Sequence, residues 1–426
     1  MPILQVALDF MIPERAIKAA EEALRGGADW LEAGTPLIKS AGMQIVRELK
    51  RRFKKPVVAD LKTMDVGRVE VEMAAKSGAD IITVLALADD PTIEDSIKAA
   101  RKYGAKIMVD LINHPEPAKR AKEVEKMGVD YVCVHVGVDQ QMLGKNPLNI
   151  LKDVSSAVSI PVAAAGGINS ETAVDVVKNG AEIVIVGGAI IKAPDIEEAT
   201  RRIKEAITKG VKIESQLYKK YGETELRDAF MKVSTPNLSD AMHRKNAIGN
   251  LIKLGGGKIV GKAVTVKTMD GDWAKAVEAI DYAGPGNVIV IDAGDGNTAV
   301  WGELATWSCK VKGIEGVVIF GAARDADEIK RIDYPIFTRH VVPNAGEPKG
   351  FGEINVELEI EGTKIRPGDW IVGDESGIVV IPKEDAVEIA NRAIDVMEHE
   401  NRIREEIKRG NTLSSVIKLE EWEVER

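Results

Sequence analysis

Short apolar runs recur along the first half of the chain, at 4–8, 30–33, 57–61, 81–84, 106–111, 131–135, 161–165 and 183–186. Between them, apolar residues return every three or four positions, the spacing of a helix with one buried face. The runs themselves are too short for helices and are rich in Val, Ile and Ala, as in strands covered on both sides. Eight strand–helix units over residues 1–209 predict a (β/α)8 TIM barrel; a doubly wound open sheet is the alternative, and the even spacing favours closure. A helix over 195–209, with Ile196, Ala199, Ile203 and Ile207 on one stripe, completes this domain. Periodicity then fades over 210–223, which reads as a short connector.

A different pattern starts at Thr224 and runs to the end, so 224–426 is a second α/β domain. A helix begins in the Thr235-Pro236-Asn237-Leu238-Ser239-Asp240-Ala241 segment, with Ser239 or Asp240 as its expected cap. Strand-like runs follow at 259–266, 287–292, 316–320, 356–360, 370–374 and 377–381. The last long element is a charged helix over 383–409. Its apolar positions (Val387, Ile389, Ala390, Ala393, Ile394, Met397) fit a packing or oligomer helix better than a coiled coil, because no heptad is sustained.

Length and composition narrow the function. A chain of 426 residues with 45% hydrophobic and 29% charged residues suits two or three globular domains. A net charge of −9 speaks against a nucleic-acid surface. No apolar run reaches the roughly 18 residues of a membrane span, and the N-terminus lacks the basic start of a signal peptide. A cytoplasmic protein is expected. Cys133 and Cys309, the only cysteines, cannot build a disulfide framework and are expected in or near the core.

The chemistry gathers at predicted strand ends. In Val57-Val58-Ala59-Asp60-Leu61-Lys62-Thr63-Met64-Asp65, Asp60 and Lys62 leave the strand on one face, with Asp65 beyond the turn. An acid beside a lysine there suits a metal ligand next to a group that stabilises an enolate; a solvated local ion pair is the plain alternative. Asp9, Glu32, Asp110 and His135 end the first, second, fifth and sixth runs. One such acid is explained by a helix cap, but polar residues on five strands of one repeating unit point to a site at the C-terminal rim of a barrel. Gly166-Gly167 and Gly187-Gly188 follow the last two strands, where barrel enzymes commonly hold phosphate against backbone N–H groups.

The Asp60-x-Lys62-x-x-Asp65 pattern resembles the orotidine-5'-phosphate decarboxylase superfamily, and its flanks resemble the metal-dependent branch of 3-hexulose-6-phosphate synthase and 3-keto-L-gulonate-6-phosphate decarboxylase. The resemblance covers about the first half of the chain. It implies that Glu32 and Asp60 hold Mg2+ or another divalent cation, and that Lys62 hydrogen-bonds an enediolate. Asp9 is then expected to position Lys62 and the sugar hydroxyls, Asp110 to belong to the catalytic set, and His135 to act as acid and base. Asp65 is expected to enter the neighbouring subunit's site in a dimer of barrels. The two branches differ after the histidine. Val138 stands where the decarboxylase branch usually has arginine, and Asp110 where it tends to have glutamate, so the resemblance favours the synthase reaction. That reaction joins ribulose 5-phosphate and formaldehyde reversibly to 3-hexulose 6-phosphate; the decarboxylase remains the alternative.

In the second half, Arg324-Asp325 follows a predicted strand, and Glu303 opens the preceding helical region. An arginine beside a metal-binding acid suits a 2-oxo acid. With the glycine-rich loop before it, this pattern resembles the ribonuclease-E regulator/4-hydroxy-4-methyl-2-oxoglutarate aldolase family, a swivelling α/β domain. The resemblance implies that Arg324 binds a 2-oxo acid carboxylate, with Asp325 and Glu303 at a metal. Backbone at Asn297, Gly302 and Leu304 is expected against the ligand. That family includes members that bind a ribonuclease, so a non-catalytic regulator or protein-binding module stays open for this half. Its members form trimers, which with dimeric barrels implies a homo-oligomer and suggests a hexamer.

Overall fold

The computed structural model describes residues 1–215, 218–408 and 410–417. Gln216 and Leu217 of the expected connector, Arg409 of the expected last helix, and 418–426 of the expected second domain lie outside the described residues. The chain forms two compact units. One holds residues 1–220 with the described residues from Glu398 onward, and the other holds 221–397. The end of the chain, expected in the second domain, thus groups with the first unit.

In the first unit eight parallel strands close into a barrel in chain order. They are β1 (Ile3–Leu8), β2 (Trp30–Ala33), β3 (Val57–Thr63), β4 (Ile81–Leu85), β5 (Lys106–Asp110), β6 (Tyr131–His135), β7 (Val162–Ala165) and β8 (Ile183–Val186). Closure is made by β1 on β8, with Ile3 opposite Ile183 and Val6 opposite Val186. Alternate side chains face opposite sides of a strand, so every second residue points into the barrel. Val58, Ile81, Met108, Tyr131, Cys133, Ala163 and Ile183 fill the interior with Ala7, Ala165 and Ile185. Trp30 meets Tyr131 edge-on at 5.8 Å. Continuing the same alternation toward the C-terminal rim gives Asp9, Glu32, Asp60, Lys62, Asp110 and His135. The rule that packs the core therefore also converges the polar side chains at one mouth. The other face of the strands packs under the surrounding helices in a larger cluster that includes Leu4, Leu31, Val57, Ile82 and Val132.

One irregularity shapes that mouth. The pairing of β3 with β4 slips between Ala59–Ile82 and Thr63–Val84, which leaves extra residues in β3. Lys62 sits in this bulge at φ 51°, a left-handed conformation that costs a non-glycine residue about 1–2 kcal/mol. The hydroxyl of Thr83, on β4, fills the break. It accepts from the Lys62 N–H at 3.1 Å and donates to Asp60 Oδ1 at 2.7 Å.

The second unit is built on a mixed sheet. Ile259–Lys267, Asn287–Asp292, Gly316–Ala323 and Ile336–Val341 lie parallel; Trp370–Asp374 pairs antiparallel with the first of them, and Gly377–Ile381 pairs antiparallel with Trp370–Asp374. Ile289, Ile291, Val317, Ile319 and Ile336 pack on one side, and Val288, Val290, Val318, Phe320 and Phe337 on the other. The helix Thr235–Ala241 is capped by Ser234, whose hydroxyl accepts from the Asn237 N–H, and not by Ser239 or Asp240 as expected. Pro236 explains the correction: proline is favoured in the first helical turn, which puts the cap before it. The last long helix is Ala386–Lys408. Both cysteines are buried, and burial pushes the Cys309 thiol up to about 12. Among the described residues no helix is long and apolar enough to cross a membrane.

Candidate active site

The barrel mouth opens into a cavity of about 380 Å3, lined by Asp9, Glu32, Asp60, Lys62, His135 and the two glycine pairs among others. At its centre Lys62 Nζ lies 2.9 Å from Asp60 Oδ2 and 3.2 Å from Asp110 Oδ2. Asp110 Oδ2 is also 2.9 Å from His135 Nδ1, and its Oδ1 accepts from the Ile112 N–H at 2.9 Å. Asp60, Lys62, Asp110 and His135 therefore form one continuous chain drawn from three strands. Lys62 is held by Asp60 and Asp110, and not by Asp9 as the resemblance implied. Two residues given no role from the sequence fix Asp60: Thr83, and Thr35, whose hydroxyl lies 2.8 Å from Oδ2. Thr35 belongs to the Gly34-Thr35-Pro36-Leu37-Ile38 segment, which fits both branches of the resemblance and so assigned it nothing.

The charges are strongly conditioned by burial. Desolvation alone would depress the Lys62 ammonium, but the Asp60 and Asp110 carboxylates outweigh it and lift its pKa well above the usual lysine range. Desolvation also works against the Asp110 charge. His135, Lys62 and the Ile112 N–H more than compensate, so Asp110 is shifted below the usual carboxylate range. Glu32 goes the other way. Burial, then the charges of Asp60 and Asp9, push it well above its normal value. Asp9 is accessible from the open mouth yet set deep in it, and loss of solvation followed by the Asp60 charge raises it too.

These shifts bear on a metal. Four acids (Asp9, Glu32, Asp60, Asp110) meet Lys62 and His135, with Lys192 acting on Asp9 as well, and the excess negative charge is concentrated at Glu32, Asp60 and Asp9. Gln5 donates to Glu32 Oε2 at 2.5 Å, while its buried Oε1 has no partner among the described residues. A divalent cation at Glu32 and Asp60 would relieve the repulsion that raises Glu32. No group of three or more His, Cys, Asp or Glu side chains placed to hold a metal ion together occurs among the described residues. Two carboxylates, Glu32 and Asp60, could hold a divalent cation whose other positions go to substrate and water.

Glycines supply the space around the acids. A Cβ on Gly34 would lie 2.1 Å from Asp9 Oδ1, and one on Gly166, at φ 107°, would lie 2.3 Å from the Val136 carbonyl oxygen. Gly167, Gly187 and Gly188 line the same cavity, as does Tyr218, a residue with no signal in the sequence pattern. Val138 is on the lining and 58% exposed. Asp65 does not line the cavity. It is exposed, and its Oδ1 accepts from the Val66 N–H at 2.7 Å.

The second unit has its own cavity, of about 470 Å3, lined by Trp273, Gly302, Glu303, Leu304, Arg324, Asp325 and Gly346 among others. Arg324 and Asp325 follow the strand Gly316–Ala323. Asp325, at φ 59°, accepts from the Glu303 N–H at 3.1 Å and lies 3.4 Å from Arg324 Nε. A Cβ on Gly302 would come within 2.6 Å of Asp325 Oδ2, so the glycine admits this carboxylate against the backbone. Asn297 is the departure: it is exposed and outside the lining. Its loop is drawn away by Asp270, whose Oδ1 accepts from the Thr298 N–H at 2.8 Å. Trp273, missed in the sequence, is placed by its indole N–H on the Gly346 carbonyl at 3.1 Å.

Comparison with known proteins follows the same division. The Orotidine 5'-phosphate decarboxylase / HUMPS family matches residues 2–203, and Aldolase/RraA matches residues 235–380. A 3-hexulose-6-phosphate synthase of Bacillus subtilis (strain 168) is 41% identical over 209 residues, covering 49% of this chain and 99% of its own length. One of Staphylococcus epidermidis is 40% identical over 206 residues, 48% of this chain and 98% of its own. A crystal structure of 3-hexulose-6-phosphate synthase aligns at 39% identity and a TM-score of 0.47, over 49% of this chain and 100% of that one.

Proposed function

Because the chain belongs to the Orotidine 5'-phosphate decarboxylase / HUMPS family, with an Aldolase/RraA region fused behind the barrel, we propose that its first unit joins ribulose 5-phosphate and formaldehyde, reversibly, to 3-hexulose 6-phosphate. The observation that carries this reading is the chain Asp60–Lys62–Asp110–His135 at the barrel mouth. Asp110 engages His135 Nδ1, so Nε2 is the atom that takes the proton from the carbon beside the substrate carbonyl. The resulting enediolate carries its charge beside Lys62, whose ammonium is kept protonated by its two acids and donates to the forming oxyanion. The enediolate carbon bonds to formaldehyde, and His135 returns the proton to the new alkoxide. Asp9, raised and held between Gly34 and Gly187, orients the sugar hydroxyls. Glu32 and Asp60 would hold a divalent cation such as Mg2+, which would supply further positive charge when bound. In the reverse direction the same groups release formaldehyde.

The decarboxylation of 3-keto-L-gulonate 6-phosphate would use the same charges. Val138 on the cavity lining, where that branch carries arginine, supports the aldol reaction instead. The deciding assay supplies the intact protein with ribulose 5-phosphate, formaldehyde and Mg2+. Hexulose phosphate is the expected product. No turnover by folded protein would overturn the assignment, and turnover of 3-keto-L-gulonate 6-phosphate would move it to the decarboxylase.

Barrel pairing is part of the proposal. Asp65 is exposed outside its own cavity, and Met64, Val66, Val69 and Met73 around it are large exposed apolar side chains, a surface suited to a second copy. For the second unit we propose capture of a 2-oxo acid with its carboxylate on Arg324; Asp325 would hold a cation, which would supply Lewis-acid polarisation of the oxo group. Full-length protein with Mg2+ is expected to consume oxaloacetate or a related 2-oxo acid, and Arg324→Ala to lose that activity. Consumption by neither would favour the regulatory reading of this half.

A further inference from the structure

We propose that Tyr218, which lies between the two matched spans and outside the barrel family's residues 2–203, is a substrate-positioning residue of the barrel that walls the phosphate end of its cavity. The proposal rests on the phosphosugar reading above and adds to it a residue supplied by the stretch that joins the two regions.

The chain reaches this position by a series of ties to the barrel. Lys212 pairs with Asp175 at 2.6 Å. Ile213 and Ser170 exchange two hydrogen bonds, Ile213 N–H to Ser170 O at 3.2 Å and Ser170 Oγ to Ile213 O at 2.7 Å. The Ser215 N–H donates to Glu171 Oε1 at 2.5 Å. Ser170 and Glu171 come directly after the Gly166-Gly167-Ile168-Asn169 loop that follows β7, so the joining stretch is fastened beside that loop. The Tyr218 N–H is in turn held by Glu398 Oε1 at 2.6 Å.

Tyr218 then touches the second glycine pair directly and reaches the first through Gln141. Its ring lies so close to Gly188 that a Cβ there would stand 2.3 Å from Cε2. Its hydroxyl donates to Gln141 Oε1 at 3.2 Å. Gln141 in turn donates to the Val136 carbonyl at 2.8 Å and borders Gly167, where a Cβ would lie 3.6 Å from Oε1. Tyr218 is 8% exposed and forms part of the cavity wall. Lys220 Nζ lies 4.5 Å from the ring centroid and Lys192 Nζ 5.6 Å. An apolar wall that excludes water, flanked by two ammonium groups and facing glycine-rich backbone, suits the dianionic end of a phosphate monoester.

The test compares full-length protein with Tyr218→Ala and Tyr218→Phe in two ways: steady-state turnover of ribulose 5-phosphate with formaldehyde, and calorimetric binding of inorganic phosphate. Tyr218→Ala is expected to raise KM for ribulose 5-phosphate about 10-fold with kcat within about twofold, the signature of lost uniform binding. Phosphate binding weakens in parallel, and Tyr218→Phe, which keeps the ring over Gly188, recovers most of both. An unchanged KM and unchanged phosphate affinity in folded Tyr218→Ala would overturn the proposal. Should Tyr218→Ala fail to fold, Lys220→Gln takes its place. It is expected to raise KM about threefold and to flatten the salt dependence of KM, and no change in either would overturn the proposal. Absence of turnover in the parent, with phosphate binding still lost in Tyr218→Ala, would sink the aldol reading and leave this assignment standing.

Discussion

Lys62→Ala is expected to lower kcat/KM for hexulose phosphate formation by roughly 10^3-fold, about the loss of a well-placed oxyanion donor from a preorganised site. The magnitude follows from what surrounds the ammonium. Asp60 and Asp110 hold it at 2.9 and 3.2 Å and lift its pKa, so it stays charged throughout the reaction and needs no reorganisation when the enediolate forms. Its left-handed backbone and the Thr83 hydroxyl under the bulge fix its origin. Lys62→Arg should not rescue, because a planar guanidinium cannot occupy the compact space between two carboxylates in the same way. Asp60→Ala is expected to be as damaging, since it removes one anchor of Lys62 together with one of the two carboxylates suited to a cation. Thermal unfolding must accompany the kinetics, as removing Lys62 leaves Asp60 and Asp110 without their cation. A folded Lys62→Ala protein within tenfold of the parent would end the oxyanion role.

The barrel and its polar rim were legible because two periodicities coincide. Alternation along each strand selects the interior, and the last inward position of each strand is necessarily at the mouth, so Asp9, Glu32, Asp60, Asp110 and His135 could be placed together from spacing alone. The connections among them could not. Whether Asp9 or Asp110 holds Lys62 depends on a register slip in β3, and a slip leaves no trace in the order of apolar residues. The roles of Thr35 and Thr83 were invisible for a related reason. A lone hydroxyl serves in caps and on strand faces everywhere, and only its distance to Asp60 gives it meaning. Tyr218 lies in a stretch without periodicity, and its contacts with Gly188 and Gln141 are made by residues far away in the chain.

In the second half the Arg324-Asp325 pair was found because it ends a clear apolar strand. Asn297 was misplaced because its loop looked like a single continuous ligand cradle, whereas Asp270 binds the loop at Thr298 and leaves Asn297 at the surface. The strand Ile336–Val341 went unseen, since Thr338, Arg339 and His340 interrupt its apolar residues. It is buried at its start and half-exposed toward its end.

Asp272 offers the sharpest test of how that second cavity is held. Only 2% exposed, it accepts four backbone hydrogen bonds: Oδ1 from Ala274, Lys349 and Gly350 at 3.1, 3.0 and 3.2 Å, and Oδ2 from Phe351 at 2.8 Å. These amides tie the loop that includes Gly346 beside Trp273, and both residues line the cavity. Burial opposes the charge, but the four N–H groups outweigh it and hold the Asp272 carboxyl below the usual carboxylate range. Asp272→Asn keeps the shape yet replaces one acceptor oxygen with a donor that faces N–H groups. It is expected to cost about 2–4 kcal/mol of stability in the second unit, read as a lower urea midpoint at neutral pH and faster hydrogen exchange at 349–351. The sign with pH is fixed by the direction of the shift. A carboxyl depressed in the folded state contributes fully above its unfolded value, about 3.9, and loses that contribution as pH falls through the folded one. The gap between parent and Asp272→Asn should therefore be constant from pH 7 to about 5 and narrow below about 4, as the parent's own carboxylate is protonated. A gap that stayed constant into acid would mean that shape, and not charge, holds this loop.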